Sequence, residues 1–298
     1  MSRRLQIAVL LLVIVLSGLG VTFFAGHKGG GEALLQKGRE AFEKGLFDEA
    51  IQDYTQLTQK SSSPDLLAEA YQGIGDVQFE KKSLLEAKTT YEKIIKEFPR
   101  ANAVFSTQEK LGRVNTAILF SPVVTPLDKK IEVRLGDTLG KIAASHGTTV
   151  DLLMKANQLK TSVIRSGMKL KVPAIHFSII VDKSQNTLTL KAGEEIFKVY
   201  RVATGQNNST PVGTFKITNK LVNPVWYTVG AVVPPESPEN ILGSRWLGIS
   251  EPGYGIHGTR DPSSIGEQVT KGCVRMRNVE VEELYAIVPV GTEVTIID

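Results

Sequence analysis

The sequence IHGTRDPSSIGEQVTKGCVRM, residues 256–276, contains the single cysteine of the chain, Cys273, and a histidine, His257, sixteen positions before it. A thiol attacks a carbonyl as the thiolate, so it needs an imidazole to accept its proton and positive charge to stabilise the anion. Arg275 and Arg277 are close enough in sequence to supply that charge. The spacing therefore predicts that Cys273 is a nucleophile and His257 its base.

The glycine before the cysteine strengthens this prediction. Gly272 allows a tight turn, and the N–H groups of Gly272 and Cys273 are then available to a developing oxyanion. The alternative is that Cys273 is a small buried hydrophobic residue and His257 a polar loop residue. An unpaired cysteine in a chain with an export-type N-terminus favours the reactive thiol.

The same stretch resembles the active-site motif of the L,D-transpeptidase (YkuD-like) family, in which His-Gly precedes Ser/Thr-x-Gly-Cys-x-Arg. The matching residues are His257, Gly258, Thr259, Thr270, Gly272, Cys273 and Arg275. Lys271 stands where the family usually has a histidine, which puts substrate choice or rate in question. The resemblance extends over residues 177–298 and includes ATGQNNSTPVGTFKI at 203–217.

The resemblance implies a peptidoglycan L,D-transpeptidase. Cys273 would form a thioacyl-enzyme from a tetrapeptide stem with release of D-alanine, and an amine of a second stem would accept the acyl group in a 3→3 cross-link. Water or a D-amino acid as acceptor would instead give carboxypeptidase or exchange activity. A non-catalytic wall-binding scaffold is a further alternative.

The resemblance also implies roles for the residues around the nucleophile. His257 would be the general base, and a main-chain carbonyl at Gly258 or Thr259 would accept a hydrogen bond from its other ring nitrogen. Gly272, Thr259 and Arg275 would contact the substrate or its oxyanion. Arg275 would bind the donor carboxylate through its guanidinium fork or steady the catalytic loop. An arginine paired with an acidic residue of the same domain is the alternative for Arg275.

Composition excludes some functional classes. The chain of 298 residues is 42% hydrophobic and 22% charged, which is ordinary for two or three globular domains. The net charge is +4, and no segment shows the basic stripe with interleaved aromatic residues typical of nucleic-acid binding. The four histidines are scattered and the cysteine is single, so we predict no metal and no cofactor.

The N-terminus predicts a membrane anchor. Leu5–Ala25 is an uncharged, mainly apolar run of 21 residues preceded by Arg3 and Arg4, long enough to cross a bilayer as one helix. The arginines place the tip of the chain in the cytoplasm and the catalytic part outside it, in the periplasm or cell wall. Residues 1–31 are thus assigned to tip, anchor and spacer, and a cleaved signal peptide is the alternative.

Residues 32–120 show helical periodicity that repeats. Gly38, Ala50 and Tyr54 recur 37 positions later as Gly75, Ala87 and Tyr91, which resembles the tetratricopeptide repeat. A concave helical face of this kind could bind a protein partner, and a spacer or a dimerisation surface is the alternative. Because the segment holds no nucleophile with a base in reach, we predict that it is dispensable for chemistry.

A proline-containing linker, residues 121–129, leads to residues 130–173, which resemble a LysM module. The pattern predicts a βααβ fold in which Asp137 or Thr138 caps the first helix and Thr148 or Thr149 the second. Residues 121–173 carry nine Lys or Arg and four Asp or Glu, a balance suited to an anionic wall polymer or to a solvated surface. The resemblance implies glycan binding by Gly136, Asp137, Thr138, Leu139, Asn157, Leu159 and Ile164.

Residues 174–298 alternate apolar and polar positions between turns and contain many prolines, which predicts a mainly-β sandwich. The proline-bounded junction at Pro173 predicts that this catalytic domain and the LysM module are separable. The predicted fold class is therefore multidomain: a transmembrane helix, all-α repeats, an α+β LysM module and a mainly-β catalytic domain.

Overall fold

The computed structural model describes residues 30–298. Within this range the chain divides into two compact units, the first ending at Val114 and the second comprising Asn115–Asp298. The first unit is helical, and the second contains both the LysM module and the β-rich domain.

The predicted membrane anchor requires a correction. In the part of the chain from residue 30 onward, no helix has the combined length and apolar character needed to cross a membrane. The predicted helix at Leu5–Ala25 lies outside the described residues. The described residues thus give no support to the transmembrane element of the predicted fold class, to the membrane-anchored localisation or to the membrane contact, and none of the three is proposed further.

Five helices form the repeat region in the described residues: α1 (30–43), α2 (Phe47–Lys60), α3 (Pro64–Glu80), α4 (Leu84–Glu97) and α5 (Val104–Leu119). Tyr54 and Tyr91 explain why glycine recurs. A Cβ on Gly38 or Gly73 would lie 2.5 or 2.4 Å from the Tyr54 ring, and one on Gly75 would lie 2.5 Å from the Tyr91 ring. Each buried tyrosine thus requires a glycine on the helix it packs against.

The LysM module has the predicted βααβ order, with β1 (Asp128–Glu132), α6 (Leu139–Ser145), α7 (Val150–Ala156) and β2 (Lys169–Pro173). The two strands pair antiparallel. Thr138 Oγ1 accepts a hydrogen bond from Lys141 N at 3.2 Å and Thr149 Oγ1 from Leu152 N at 2.9 Å, so these threonines cap the two helices. The first strand begins inside the segment predicted as linker.

The remaining elements are β3 (Phe177–Asp182), β4 (Thr187–Ala192), β5 (Glu195–Arg201), β6 (Thr204–Gly205), β7 (Gly213–Val222), β8 (Trp226–Thr228), β9 (Ala231–Val233), β10 (Arg245–Ile249), β11 (Gly255–His257), β12 (Gln268–Thr270), β13 (Val274–Arg275), α8 (Asn278–Ile287) and β14 (Glu293–Ile297). Eight of these strands, within the described residues, join in the order β13-β11-β10-β7-β14-β3-β4-β5.

The long strand β7 joins two groups of strands in this sheet, β13-β11-β10 on one side and β14-β3-β4-β5 on the other. Its residues 213–216 pair with β14, and residues 217–222 pair with β10. Side chains from both groups and from α8 share one buried core, which includes Ile179, Leu190, Leu247, Val274 and Leu284. The mainly-β domain predicted from the alternating pattern is therefore present, with β7 connecting its two groups of strands.

The LysM module is not independent of the catalytic domain, which corrects the predicted separability. Leu152 of α7 is 1% exposed and belongs to the catalytic core, and Thr149 Oγ1 donates a hydrogen bond to Ala286 O of α8. Lys171 Nζ donates to Ile118 O at 2.8 Å and to Ser121 O at 2.9 Å, which ties the predicted linker to β2.

The end of α5 also belongs to the second unit. Asn115 Nδ2 donates to Phe197 O at 2.9 Å, and Leu119 lies in the catalytic core. Leu119 thus contributes to the core of the catalytic domain, so residues 115–119 belong to that domain's fold and not to the repeats. The prediction that the repeats are dispensable for chemistry stays a prediction.

We expect Leu152→Ala to destabilise the second unit as a whole. Truncating a buried leucine removes apolar burial and leaves a cavity, which costs about 2–5 kcal/mol of unfolding free energy. Denaturant unfolding followed at the catalytic-domain tryptophans measures this loss. Leu135→Ala, at a LysM leucine that is 94% exposed, is the control and should change the free energy little. An unchanged catalytic-domain transition in the Leu152 variant would contradict the packing described above.

Candidate active site

Two neighbouring strands bring the predicted nucleophile and base together. Strands β11 and β13 pair in parallel with His257 opposite Arg275, and Cys273 immediately precedes β13. Residues i and i+2 of a strand share a face, as do directly paired residues on adjacent strands. Cys273, Arg275 and His257 therefore lie on the same face of the sheet, and the charge of Arg275 acts on both other side chains.

The turn before the nucleophile is built around Gly272. Its φ is +125°, and a Cβ there would lie 2.5 Å from the Tyr254 ring and 3.0 Å from Ser209 O, so a larger residue is excluded. Thr270 Oγ1 accepts a hydrogen bond from Gly272 N at 3.1 Å and donates one to Cys273 O at 2.7 Å. The Gly272 N–H is thereby occupied in this structure, and its role in an oxyanion hole stays a prediction.

A second segment supports the nucleophile from the other side. Ala203 and Arg275 exchange two backbone hydrogen bonds, both 2.8 Å long. At Gly205 a Cβ would lie 2.9 Å from Gly272 Cα and 2.7 Å from Thr210 N. The glycine in the ATG sequence is thus required because two backbones approach closely there.

His257 is held in one orientation. It is 2% exposed, its Nδ1 lies 2.6 Å from Gly258 O, and its ring stacks on Trp246 with centroids 6.1 Å apart. Because a carbonyl only accepts hydrogen bonds, Nδ1 carries the proton and Nε2 keeps a free lone pair. Burial lowers the pKa of His257 to about 4, the Gly258 hydrogen bond opposes that shift, and the Arg275 charge adds to it. The imidazole is neutral at neutral pH.

Burial also acts on the thiol. Cys273 Sγ lies 3.7 Å from Gly253 O, which can accept its proton. Burial raises the pKa of Cys273, while a backbone hydrogen bond from Gly255 and the Arg275 charge oppose the rise. This direction does not favour the thiolate that the nearby arginines indicated. It favours a mechanism in which the imidazole takes the thiol proton as the sulfur attacks the substrate.

The guanidinium of Arg275 does not use all of its hydrogen-bond donors. Its Nη1 donates to Ser264 Oγ at 3.0 Å, and its Nε is buried without a hydrogen-bond partner among residues 30–298. No ion pair found in that range includes Arg275. The alternative of an arginine neutralised by an acidic residue in direct contact is thus not observed.

Thr259 has hydrogen-bond partners in this structure. Thr259 N donates to Asn278 Oδ1 at 3.1 Å, and its Oγ1 accepts from Asp261 N at 3.0 Å. The substrate contact of Thr259 stays a prediction. Lys271 is exposed to solvent.

Three residues that shape the site had no sequence signal of their own: Trp246, Tyr254 and Asn278. Trp246 is the antiparallel partner of His257. Predicting this pair from the sequence would require the register of β10 against β11. Strands of five and three residues carry too short a pattern to fix that register. Asn278 is the first residue of α8, and asparagine is common near helix starts, so its presence there does not indicate a functional site.

The predicted glycan-binding residues of the LysM module are dispersed. Leu139 is 2% exposed in the module core, and the Asn157 amide is bonded to Leu153 O, Lys171 O and Lys171 N. These two side chains support the fold of the module, and their predicted contact with glycan stays a prediction. Thr138 caps α6, Asp137 Oδ2 accepts from Arg134 N, and Gly136 turns with φ +86°. Leu159 and Ile164 pack on the edge of the same core.

A surface groove of about 990 Å³ lies along β1 and α6 of the LysM module. Asp137 is the one predicted glycan contact that lines it, together with Lys130, Glu132, Arg134, Lys141 and His146. Within residues 30–298, no cluster of His, Cys, Asp and Glu side chains is arranged to hold a metal ion.

Comparison with known families matches three parts of the chain and confirms the predicted resemblances. Residues 176–296 match an L,D-transpeptidase catalytic domain model, residues 131–173 a LysM domain model, and residues 68–100 a tetratricopeptide repeat model. The first of these matches covers both His257 and Cys273.

Individual relatives agree with the family models. YkuD of Bacillus subtilis (strain 168), named as an L,D-transpeptidase, is 37% identical over 172 residues, which cover 55% of this chain and 96% of YkuD. YbiS of Escherichia coli (strain K12), with the same activity in its name, is 29% identical over 180 residues, 52% of this chain and 58% of YbiS. An L,D-transpeptidase structure from Mycobacterium smegmatis aligns with a TM-score of 0.35 at 21% identity, over 44% of this chain and 64% of that one.

Proposed function

The chain belongs to the L,D-transpeptidase family and is a peptidoglycan L,D-transpeptidase, and we propose that Cys273 is its nucleophile and His257 its base. The observation that carries this proposal is the orientation of His257. Its Nδ1 is bonded to Gly258 O, so Nε2 is free to accept a proton on the face that carries Cys273. A Cys–His pair of this kind supports acyl transfer.

The first half-reaction consumes the tetrapeptide donor. Cys273 Sγ attacks the carbonyl carbon of the third residue while His257 Nε2 takes the thiol proton. The C–S bond forms as the carbonyl becomes an oxyanion, for which the Cys273 N–H is the proposed donor. Collapse of this intermediate breaks the C–N bond, and D-alanine leaves with the proton from His257.

The second half-reaction returns the free thiol. An amine of a second stem attacks the thioester, His257 accepts a proton from that amine, and the C–S bond breaks. The products are an amide cross-link and a sulfur that recovers the proton. Water in place of the amine would give a carboxypeptidase, and a D-amino acid would give exchange.

Arg275 is proposed to bind a carboxylate of the donor stem. Its Nε is buried and unpartnered, and its Nη1 contacts only the neutral Ser264 hydroxyl among the described residues. A guanidinium with two donors on one edge matches a carboxylate bidentately. Such a contact also explains why a charged side chain is held beside the nucleophile.

The LysM module is proposed to hold the enzyme on peptidoglycan glycan strands. Gly136, Asp137 and Thr138 form the exposed turn between β1 and α6, beside the groove described above. Because this module and the catalytic domain share core residues, glycan binding would place the active site at a fixed distance from the strand. The protein partner predicted for the repeat region stays a prediction.

The reaction can be tested with purified disaccharide-tetrapeptide. We expect equimolar D-alanine and dimer carrying a 3→3 bond, detected by liquid chromatography and tandem mass spectrometry, because each transfer releases one D-alanine. The same substrate with a D-configured third residue is the control and should not react. D-alanine without dimer would indicate the carboxypeptidase, and no D-alanine release would overturn the proposal.

A further inference from the structure

One peptide group connects the proposed base to a residue of α8. The carbonyl oxygen of the Gly258–Thr259 peptide, Gly258 O, lies 2.6 Å from His257 Nδ1, and the N–H of the same peptide donates to Asn278 Oδ1 at 3.1 Å. A peptide group is planar, and in the trans form its C=O and N–H point in opposite directions. Holding the N–H therefore also sets the direction of the carbonyl.

We propose that Asn278 is a positioning residue for acyl transfer: it holds the Gly258–Thr259 peptide so that His257 keeps its proton on Nδ1 and presents Nε2 to Cys273. This inference rests on the proposed role of His257 as base. It adds a residue from outside the His-Gly and Gly-Cys motifs, supplied by the helix that follows the nucleophile strand.

The amide of Asn278 has only one orientation that fits its partners. Its side-chain oxygen accepts from Ser244 N and from Thr259 N, both at 3.1 Å. Both partners are N–H donors, so the atom between them must be the oxygen, and both of its lone pairs are used. Asn278 thus joins the loop before β10 to the segment that follows His257.

The backbone around Asn278 is shaped to admit this oxygen. A Cβ on Gly258 would lie 2.2 Å from Oδ1, and one on Gly243, where φ is +64°, would lie 2.3 Å from it. Gly258 N additionally donates to Arg245 O at 3.1 Å. Both positions must therefore be glycine to leave space for the Asn278 side-chain oxygen. An asparagine that faced solvent at the start of a helix would place no such requirement on neighbouring loops.

Asn278 also strengthens the hydrogen bond to His257. Donation of the Thr259 N–H polarises the peptide and makes its carbonyl a better acceptor, because hydrogen bonds in a chain reinforce one another. Loss of Asn278 would thus free the peptide to rotate and weaken the acceptor that keeps the proton on Nδ1. The imidazole could then place its proton on Nε2, where it blocks proton transfer from the thiol.

The test compares Asn278→Ala with Asn278→Asp in the full chain. We expect the alanine variant to lose about 10–100-fold in kcat on tetrapeptide, the loss typical when a hydrogen-bond partner that orients a functional histidine is removed, with KM little changed. Nitrogen-15 NMR of labelled histidine should show the Nε2–H tautomer of His257 appearing. The aspartate keeps two acceptor lone pairs at a helix start, where negative charge is favourable, and should retain kcat and the Nδ1–H tautomer.

Asn115→Ala is the matched control, because it removes a buried amide bonded to Phe197 O away from His257. It should lower the melting temperature without changing the tautomer or kcat. A wild-type tautomer in Asn278→Ala overturns the proposal, even if kcat falls. If alanine prevents folding, Asn278→Leu, which approximates the shape of the side chain but has no acceptor, replaces it with the same criterion. Absence of turnover in the unmodified chain would overturn the proposed function, and the tautomer comparison would still decide the role of Asn278.

Discussion

Replacing Cys273 with alanine is expected to reduce cross-linking of tetrapeptide to background, a loss of about 10⁴-fold or more. Covalent acyl transfer needs the sulfur, and Cys273 is the single cysteine of the chain, so no other thiol can substitute. Steady-state release of D-alanine measures the loss. Intact-protein mass spectrometry should show an acyl adduct on the unmodified chain and none on the variant.

Cys273→Ser is the conservative control for this prediction. The hydroxyl keeps nearly the same volume, but its proton is far harder to remove than that of a thiol, and the neutral His257 is a weak base for it. We expect the serine variant to fold with wild-type stability and to show no more turnover than the alanine variant. Turnover of the alanine variant within tenfold of the original would show that Cys273 is a structural residue.

The combination of a cysteine, a histidine and a glycine in the motif could be interpreted from the sequence, because each residue type has a known role in acyl transfer by a thiol. A thiol nucleophile needs an imidazole and a glycine turn, and His257, Gly272 and Cys273 supply these in a short stretch. The helix caps of the LysM module were accessible for a similar reason, since Thr138 and Thr149 each precede a short apolar period. Both predictions depend only on residues that are close together in the sequence.

The direction of the Cys273 pKa shift was not accessible, because it depends on what covers the sulfur. Arg275 and Arg277 indicated positive charge that would stabilise a thiolate, whereas burial raises the pKa of Cys273. The Tyr254 ring and Ser209 O lie against the turn at Gly272, and neither belongs to the motif. Desolvation opposes the charged thiolate, and it outweighs the attraction of one partly exposed arginine.

The packing of the LysM module on the catalytic domain was hidden for a different reason. Leu152 and Leu153 are adjacent and equally apolar, and a module of this size would be expected to bury both in its own core. In the structure Leu153 packs inside the module and Leu152 packs in the catalytic core. Helical periodicity identifies an apolar face but not the domain that covers it.

His257→Gln is expected to lower kcat by about 10²–10⁴-fold with little change in KM, the range typical for loss of a general base. Glutamine approximates the size of the ring that packs on Trp246, so the loss reports proton transfer more than packing. His176→Gln, at an exposed histidine of the same domain, is the control and should retain full activity. Turnover of tetrapeptide measured for both variants decides between a base and a buried structural histidine.

The pH profile of kcat/KM distinguishes the base more sharply. Burial lowers the pKa of His257 to about 4, so the imidazole stays neutral and able to accept a proton from neutral pH down to that value. Activity should therefore persist well below pH 6.5, where an unperturbed histidine would already be half protonated, and fall as the pH drops through about 4. The residual activity of His257→Gln should lack this limb, because no titrating base remains. An acid limb near pH 6.5 in the unmodified chain, or an unchanged limb in the glutamine variant, would assign the proton transfer to another group.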